Sequence, residues 1–136
     1  MSVVKTRAVR PPAAQETRQL TGGGPLVGIV GPCGAGKSTL KAALLERSVR
    51  AREIVQEHSY VPTMWRRITN PDLLIYLDVS LETARQRGRQ LSDREWRDLQ
   101  DRLAHARAHA DLVVDTDRLD PGAVLERVLG FLKREA

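Results

Sequence analysis

A chain of 136 residues with 41% hydrophobic content has the size and composition of one globular domain with a real core. Aromatic content is only 4%, and no apolar run approaches the ~20 residues needed to span a bilayer, so no membrane partner is expected. The net charge of +5 gathers early in the chain, at Lys5, Arg7, Arg10 and Arg18; the remainder is nearly balanced, which makes a nucleic-acid partner unlikely by charge.

Residues 1–24 read as a flexible tail. Pro11-Pro12-Ala13-Ala14 and Thr21-Gly22-Gly23-Gly24 break any periodicity, and few large apolar side chains are available to anchor it. The Met1-Ser2-Val3-Val4-Lys5 start lacks the apolar stretch of a secretion signal, and the single cysteine permits no internal disulfide. Both point to the cytoplasm. The folded unit is expected over residues 25–136.

Leu26 to Val30 reads as a short buried strand. Gly31-Pro32-Cys33-Gly34-Ala35-Gly36-Lys37-Ser38 follows and fits the phosphate-loop pattern G-x-x-x-x-G-K-[ST] without a gap. Thr39 to Leu45 continues as a helix, with Leu40 and Leu44 on one face and an end near Ser48. Strand, glycine loop and helix form the context that the pattern requires. The glycines let the loop curl so that successive N–H groups point at one anion, and the helix adds its positive N-terminal end. The candidate nucleotide-binding residues are therefore Gly31, Pro32, Cys33, Gly34, Ala35, Gly36, Lys37, Ser38 and Thr39. Lys37 suits the β- and γ-phosphates of a nucleoside triphosphate, and the Ser38 hydroxyl suits its Mg²⁺.

Arg52 to Glu57 reads as the second strand. A loop and a helical turn around Thr63–Ile68 come next, and Asn70-Pro71 marks a turn. Asp72 to Asp78 is continuously apolar between its acidic ends, the pattern of a parallel strand covered on both faces. Ser80 can cap a helix from Leu81 to near Gln90. Ser92-Asp93-Arg94-Glu95 is a capping box for a helix that carries Trp96, Leu99, Leu103, Ala106 and Ala110 on one face. Asp111 to Asp115 is the fourth strand, and Asp120-Pro121 opens a last helix lined by Val124, Leu125, Val128, Leu129 and Leu132. This alternation implies an α/β fold of three layers, with a small parallel sheet of about four strands and helices on both faces. Ligands of such sheets sit beyond the C-terminal strand ends, which places the glycine loop, Glu57, Asp78 and Asp115 on one rim.

The glycine loop, the run from Pro71 through Tyr76-Leu77-Asp78 to Arg85-Gln86-Arg87, and Asp111-Leu112-Val113-Val114-Asp115-Thr116-Asp117 leading into Leu119-Asp120-Pro121 resemble the small P-loop kinases. Thymidylate kinases are the nearest in pattern, with adenylylsulfate kinases similar over the last strand and helix. The resemblance covers most of residues 25–136. It implies the P-loop NTPase fold, ATP and Mg²⁺ as cofactors, and transfer of the γ-phosphoryl group to a small nucleoside- or nucleotide-like acceptor. It also implies lid arginines on the transferred phosphate, here Arg85 and Arg89 at i, i+4, with Arg87 and Arg94 nearby. A carboxylate must hold the Mg²⁺ water shell or accept the acceptor's proton; Glu57 and Asp78 compete, and Glu57 is preferred if the second strand lies beside the first.

The chain departs from that family between residues 51 and 71, where the family has further elements that build the acceptor pocket and carry an Asp-Arg pair. Neither is present, so thymidylate is disfavoured as acceptor. Any pocket must draw on Glu57, His58, Tyr60, Trp65, Arg66 and Arg67. Trp65 either stacks on a ring or plugs the core with Met64. A P-loop ATPase or nucleotide-sensing module without an acceptor is the alternative reading. Three smaller signals remain. His105 and His109 share a helix face but lack a third ligand, so a surface pair is preferred over a metal site. Cys33 lies inside the loop, where its oxidation would block nucleotide, although an inert small residue is preferred. Asp117 lies where the family places its adenine pocket, and a turn or cap role is equally open.

Overall fold

The computed structural model describes residues 24–135. Apart from Gly24, the expected flexible tail therefore lies outside the described residues. The elements are β1 (Val27–Val30), α1 (Lys37–Glu46), β2 (Ala51–Glu53), a short 3₁₀ turn (Gln56–His58), a π-helical turn (Trp65–Thr69), β3 (Leu73–Asp78), α2 (Leu81–Gln86), α3 (Asp93–His109), β4 (Leu112–Asp115) and α4 (Pro121–Glu135). The four strands pair in the order β2-β1-β3-β4, all parallel. Val27 lies beside both Ala51 and Leu73, and Ile75 lies beside Leu112. The fold is α/β, with a small four-stranded parallel sheet, as the alternation of elements implied.

The apolar run of β3 divides between two cores. Leu73, Ile75 and Leu77 pack with Val27 and Ile29 against Leu40 and Leu44 of α1 and Val124, Val128 and Phe131 of α4. Leu74 and Tyr76 turn the other way and pack with Val30, Ile54 and Trp65 against Leu103 and Ala106 of α3. Successive strand residues face opposite sides, so helices on both faces require buried, mainly apolar residues at every β3 position from Leu73 to Leu77. Each such large side chain contributes about 1.5–3 kcal/mol by leaving water.

The helix starts follow the sequence signals. Ser80 Oγ accepts the Thr83 N–H at 3.1 Å. Ser92 and Glu95 exchange bonds at 3.0 and 2.8 Å, closing the capping box, and the bond from the Ser92 N–H holds the Glu95 carboxyl below the usual range. Asp120 Oδ1 accepts the Ala123 N–H at 2.8 Å. These are the bonds that satisfy otherwise orphaned N-terminal amides.

The second strand is shorter than the Arg52–Glu57 stretch read from sequence. It closes at Glu53, and Ile54 N donates one further bond to Ile29 O at 2.8 Å. The chain then leaves the sheet because Gln56, fully buried, becomes the polar centre of the next segment. Its side-chain amide donates to Val61 O at 2.9 Å and Arg102 O at 3.3 Å, and its carbonyl accepts the Trp65 N–H at 2.8 Å. Helix α1 also stops earlier than Ser48, which takes a left-handed backbone, and α2 stops at Gln86 before Gly88. Among the described residues no helix is long and apolar enough to cross a membrane.

Trp65 is 2% exposed and belongs to the α3-side core, so it plugs the fold rather than presenting its ring to a ligand. Its indole N–H donates to His105 Nδ1 at 3.1 Å, and the His105 ring stacks on His109 at 4.1 Å. Desolvation, then the neighbouring His109 and Arg66, push the His105 pKa down. The folded state therefore favours the neutral ring, whose Nδ1 can accept the indole proton. The unfolded chain binds that proton first, so this stabilisation is complete above the unfolded pKa of about 6.5 and is lost as pH falls below it. Thermal melts between pH 7.5 and 5 should show a declining Tm. His105→Gln, which keeps an acceptor but cannot titrate, should flatten part of that decline; identical slopes in both proteins would refute this origin.

Candidate functional site

The rim at the C-terminal ends of β1 and β2 carries the glycine loop. Gly31 leaves β1 so close to β3 that a Cβ on it would collide with the Leu77 carbonyl. Gly36 caps α1 from a left-handed backbone, φ 96°, and makes no side-chain capping bond. The first amides of α1 thus have neither an intrahelical nor a side-chain acceptor. They border a cavity of about 380 Å³ lined in part by Gly34, Gly36, Lys37, Ser38, Thr39 and Arg89. A second hollow of about 290 Å³ flanks the same loop, with Thr116, Leu119 and Asp120 on its far wall and Arg87 shared between the two.

Lys37 is buried and folded back over the loop. Its ammonium donates to Gly31 O at 2.7 Å and Pro32 O at 3.1 Å and pairs with Glu57 Oε2 at 3.0 Å. Glu57 comes from the 3₁₀ turn after β2, with its carboxylate 4% exposed. Arg102 of α3 fixes that turn by donating to Glu57 O at 2.7 Å. The sequence favours Glu57 at the loop if β2 lies beside β1, and β2 does so. Glu57 reaches the loop from the turn beyond the strand, not from a strand end.

The strand end itself belongs to Glu53, which the sequence pattern places inside the second strand. Glu53 Oε1 accepts the Ser38 hydroxyl at 3.1 Å, and Glu53 lines the cavity. Two hard oxygen groups thus meet beside the loop amides, a donor set that fits Mg²⁺. The only sequence signal was an acidic residue just beyond Ala51, and the strand would have had to be ended there to see it.

The other sequence candidates are dispersed. Arg89 borders the cavity beside Gly34. Arg85 instead donates twice to Leu91 O, at 3.0 and 2.8 Å, and pairs with Asp93 at 3.3 Å, so it braces the α2–α3 connection. Asp78 pairs with Arg107 of α3 at 3.1 Å and does not line the cavity. Arg87 is the arginine that grips the loop. It donates to Gly34 O at 2.6 Å and to Thr116 O at 2.8 Å, joining the glycine loop to the end of β4. Asp117 turns back onto α2: burial pushes its carboxyl up, but bonds from Ser80, a bond from Thr83 and the Arg87 charge leave it below the usual range. His105 and His109 stay with Trp65, away from the loop.

No family model matches the chain, and no curated protein matches it.

Two substitutions separate the constraints on the loop. Gly31→Ala should destabilise the fold by about 2 kcal/mol or more, since the added methyl meets backbone. Arg87→Ala removes one exposed hydrogen bond, to Gly34, and two part-buried ones, to Thr116, and should cost about 1 kcal/mol. Urea melts would check the order, and a Gly31→Ala protein as stable as the parent would show that the loop does not approach Leu77.

Proposed function

We propose that the chain is a P-loop protein of the kinase-like kind that binds ATP·Mg²⁺ at the Gly31–Ser38 loop and transfers the γ-phosphoryl group to a small nucleoside- or nucleotide-like acceptor. The observation that carries the nucleotide part is the convergence of orphan α1 amides, a buried cation at Lys37 and the Ser38–Glu53 oxygen pair on one cavity. A polyphosphate would receive the amides at the loop and the Lys37 ammonium as a point charge. Ser38 Oγ would hold Mg²⁺ directly, with Glu53 on its water shell; bound there, the ion would offset the charge of the transferred phosphate. Arg89 at the cavity edge, and Arg87 once released from Gly34, would meet the same phosphate.

The acceptor oxygen would attack the γ-phosphorus as the bond to the ADP oxygen breaks. The proton of the attacking hydroxyl would pass to Glu57, whose Oε2 is freed when Lys37 moves to the phosphates. A second reading, an ATPase or nucleotide-sensing module without an acceptor, draws support from the β2–β3 connection. Trp65 is spent on the core, and Tyr60, Arg66 and Arg67 do not line the loop cavity.

Breaking the buried Lys37–Glu57 pair should itself cost about 3–5 kcal/mol, so each variant must be compared with its own ligand-free melt. ATP·Mg²⁺ at about 100 times its dissociation constant should stabilise the parent by about 2.7 kcal/mol. The gain should shrink strongly in Lys37→Ala and in the charge-balanced Lys37→Ala/Glu57→Gln pair. Ser38→Ala should keep ATP binding but lose its dependence on Mg²⁺. Equal shifts in all four proteins would reject the site. A screen of acceptors for ADP release then separates the two readings: acceptor-dependent release supports a kinase, and acceptor-independent hydrolysis supports an ATPase.

A further inference from the structure

We propose that Cys33, Glu57 and His58 form a binding site for a borderline transition-metal dication of the Zn²⁺ class. The sulfur, one carboxylate oxygen and one ring nitrogen of these three residues lie within 4.8 Å of one another. They come from two segments that the fold brings together, the glycine loop and the turn after β2. Tetrahedral Zn²⁺ holds such donors at about 2.0–2.3 Å, which puts them roughly 3.3–3.8 Å apart. The remaining gap is within reach of His58, whose side chain is 66% exposed and can rotate inward.

A second observation points to a cation at the same place. Glu57 Oε1 is buried and accepts no hydrogen bond, while Oε2 is held by Lys37. A carboxylate oxygen so placed lacks the partner that buried polar atoms ordinarily have. His58 Nε2 lies 3.9 Å from Oε2, the oxygen that Lys37 holds, and a dication taken up by this carboxylate would give the unmatched Oε1 its partner. The donor set selects the metal: one thiolate, one imidazole and one carboxylate suit Zn²⁺ or Co²⁺, whereas Mg²⁺ and Ca²⁺ call for oxygen alone. On binding, the Cys33 thiol gives its proton to solvent; because Glu57 also faces Lys37, thiolate and carboxylate offset all but one positive charge of the ion and the ammonium together. Three protein ligands leave a fourth position open to water.

The inference does not rest on the nucleotide reading, because both arguments for it use ligand-free geometry. It has a consequence for the loop all the same. The ion would tie Cys33 to the turn after β2 and would occupy part of the cavity assigned above to phosphates.

Cys33 is the chain's only cysteine, so thiol chemistry on the full-length protein reads one position. In the absence of nucleotide, Zn²⁺ should slow labelling of Cys33 by an aromatic disulfide reagent by about tenfold or more. Co²⁺ should give a thiolate-to-metal charge-transfer band. Both signals should be lost in His58→Ala, a change on an exposed side chain, and weakened in Glu57→Gln. Both should persist in His109→Ala, which tests the stacked His105–His109 pair as a rival site. Protection that survives His58→Ala, protection that vanishes in His109→Ala, or a Co²⁺ spectrum without a thiolate band would overturn the proposal. Because ATP·Mg²⁺ stabilisation is measured separately through Lys37, either inference can fail alone.

Discussion

A buried ammonium–carboxylate pair, Lys37 with Glu57, is the contact on which the rim of this protein depends. It joins the first residue of α1 to a turn that has already left the sheet, and each partner is about 95% removed from solvent. Neither charge is tolerable there alone, since an unpaired buried ion costs several kcal/mol. The pair is also incomplete. Lys37 has two loop carbonyls besides Glu57, but Glu57 leaves one oxygen unmatched. A ligand that draws Lys37 away, or a cation that satisfies Glu57, would change the same small cluster. The rim is therefore held by a charge pair that leaves one carboxylate oxygen unmatched.

What holds Glu57 in reach is polar, not apolar. The Gln56 side chain ties the loop to Trp65, Val61 and Arg102, and Arg102 in turn holds the Glu57 carbonyl. Trp65 then fills the space between this segment and α3 and spends its indole proton on His105. The short connection from β2 to β3 is thus a fitted plug whose Gln56 and Trp65 polar groups are matched, with Glu57 Oε1 the exception. A plug of that kind positions one carboxylate well and leaves little for cradling a large acceptor. On the opposite side, Arg87 performs the complementary task by stitching the glycine loop to Thr116 at the end of β4.

Much of the fold was legible because local signals agreed with one another. The continuous apolar run of β3, the Ser80, Ser92 and Asp120 caps and the Asn70-Pro71 turn all mark short-range preferences that the tertiary structure had no reason to override. The glycine loop was legible for the same reason: its spacing encodes a backbone path. The sequence said least where a side chain chose between two distant partners. Arg85 and Arg89 share a helical spacing, yet α2 ends before Arg89, and Arg85 closes on Leu91 and Asp93. Asp78 ends the strongest strand, yet α3 brings Arg107 against it.

The residues alone therefore determined the strand–loop–helix at Gly31–Ser38, the alternation of elements and the parallel α/β class, because these follow from backbone freedom, capping and the period of apolar side chains. Only the packed structure decided that Glu53 meets Ser38, that Glu57 meets Lys37 and that Arg87 holds the loop. Those pairings join residues 15 to 53 positions apart, and no local preference reaches that far. The two that involve Glu53 and Glu57 were set by where β2 lets go of the sheet, which depends on Gln56 finding its partners in a loop and a helix that come later in the chain.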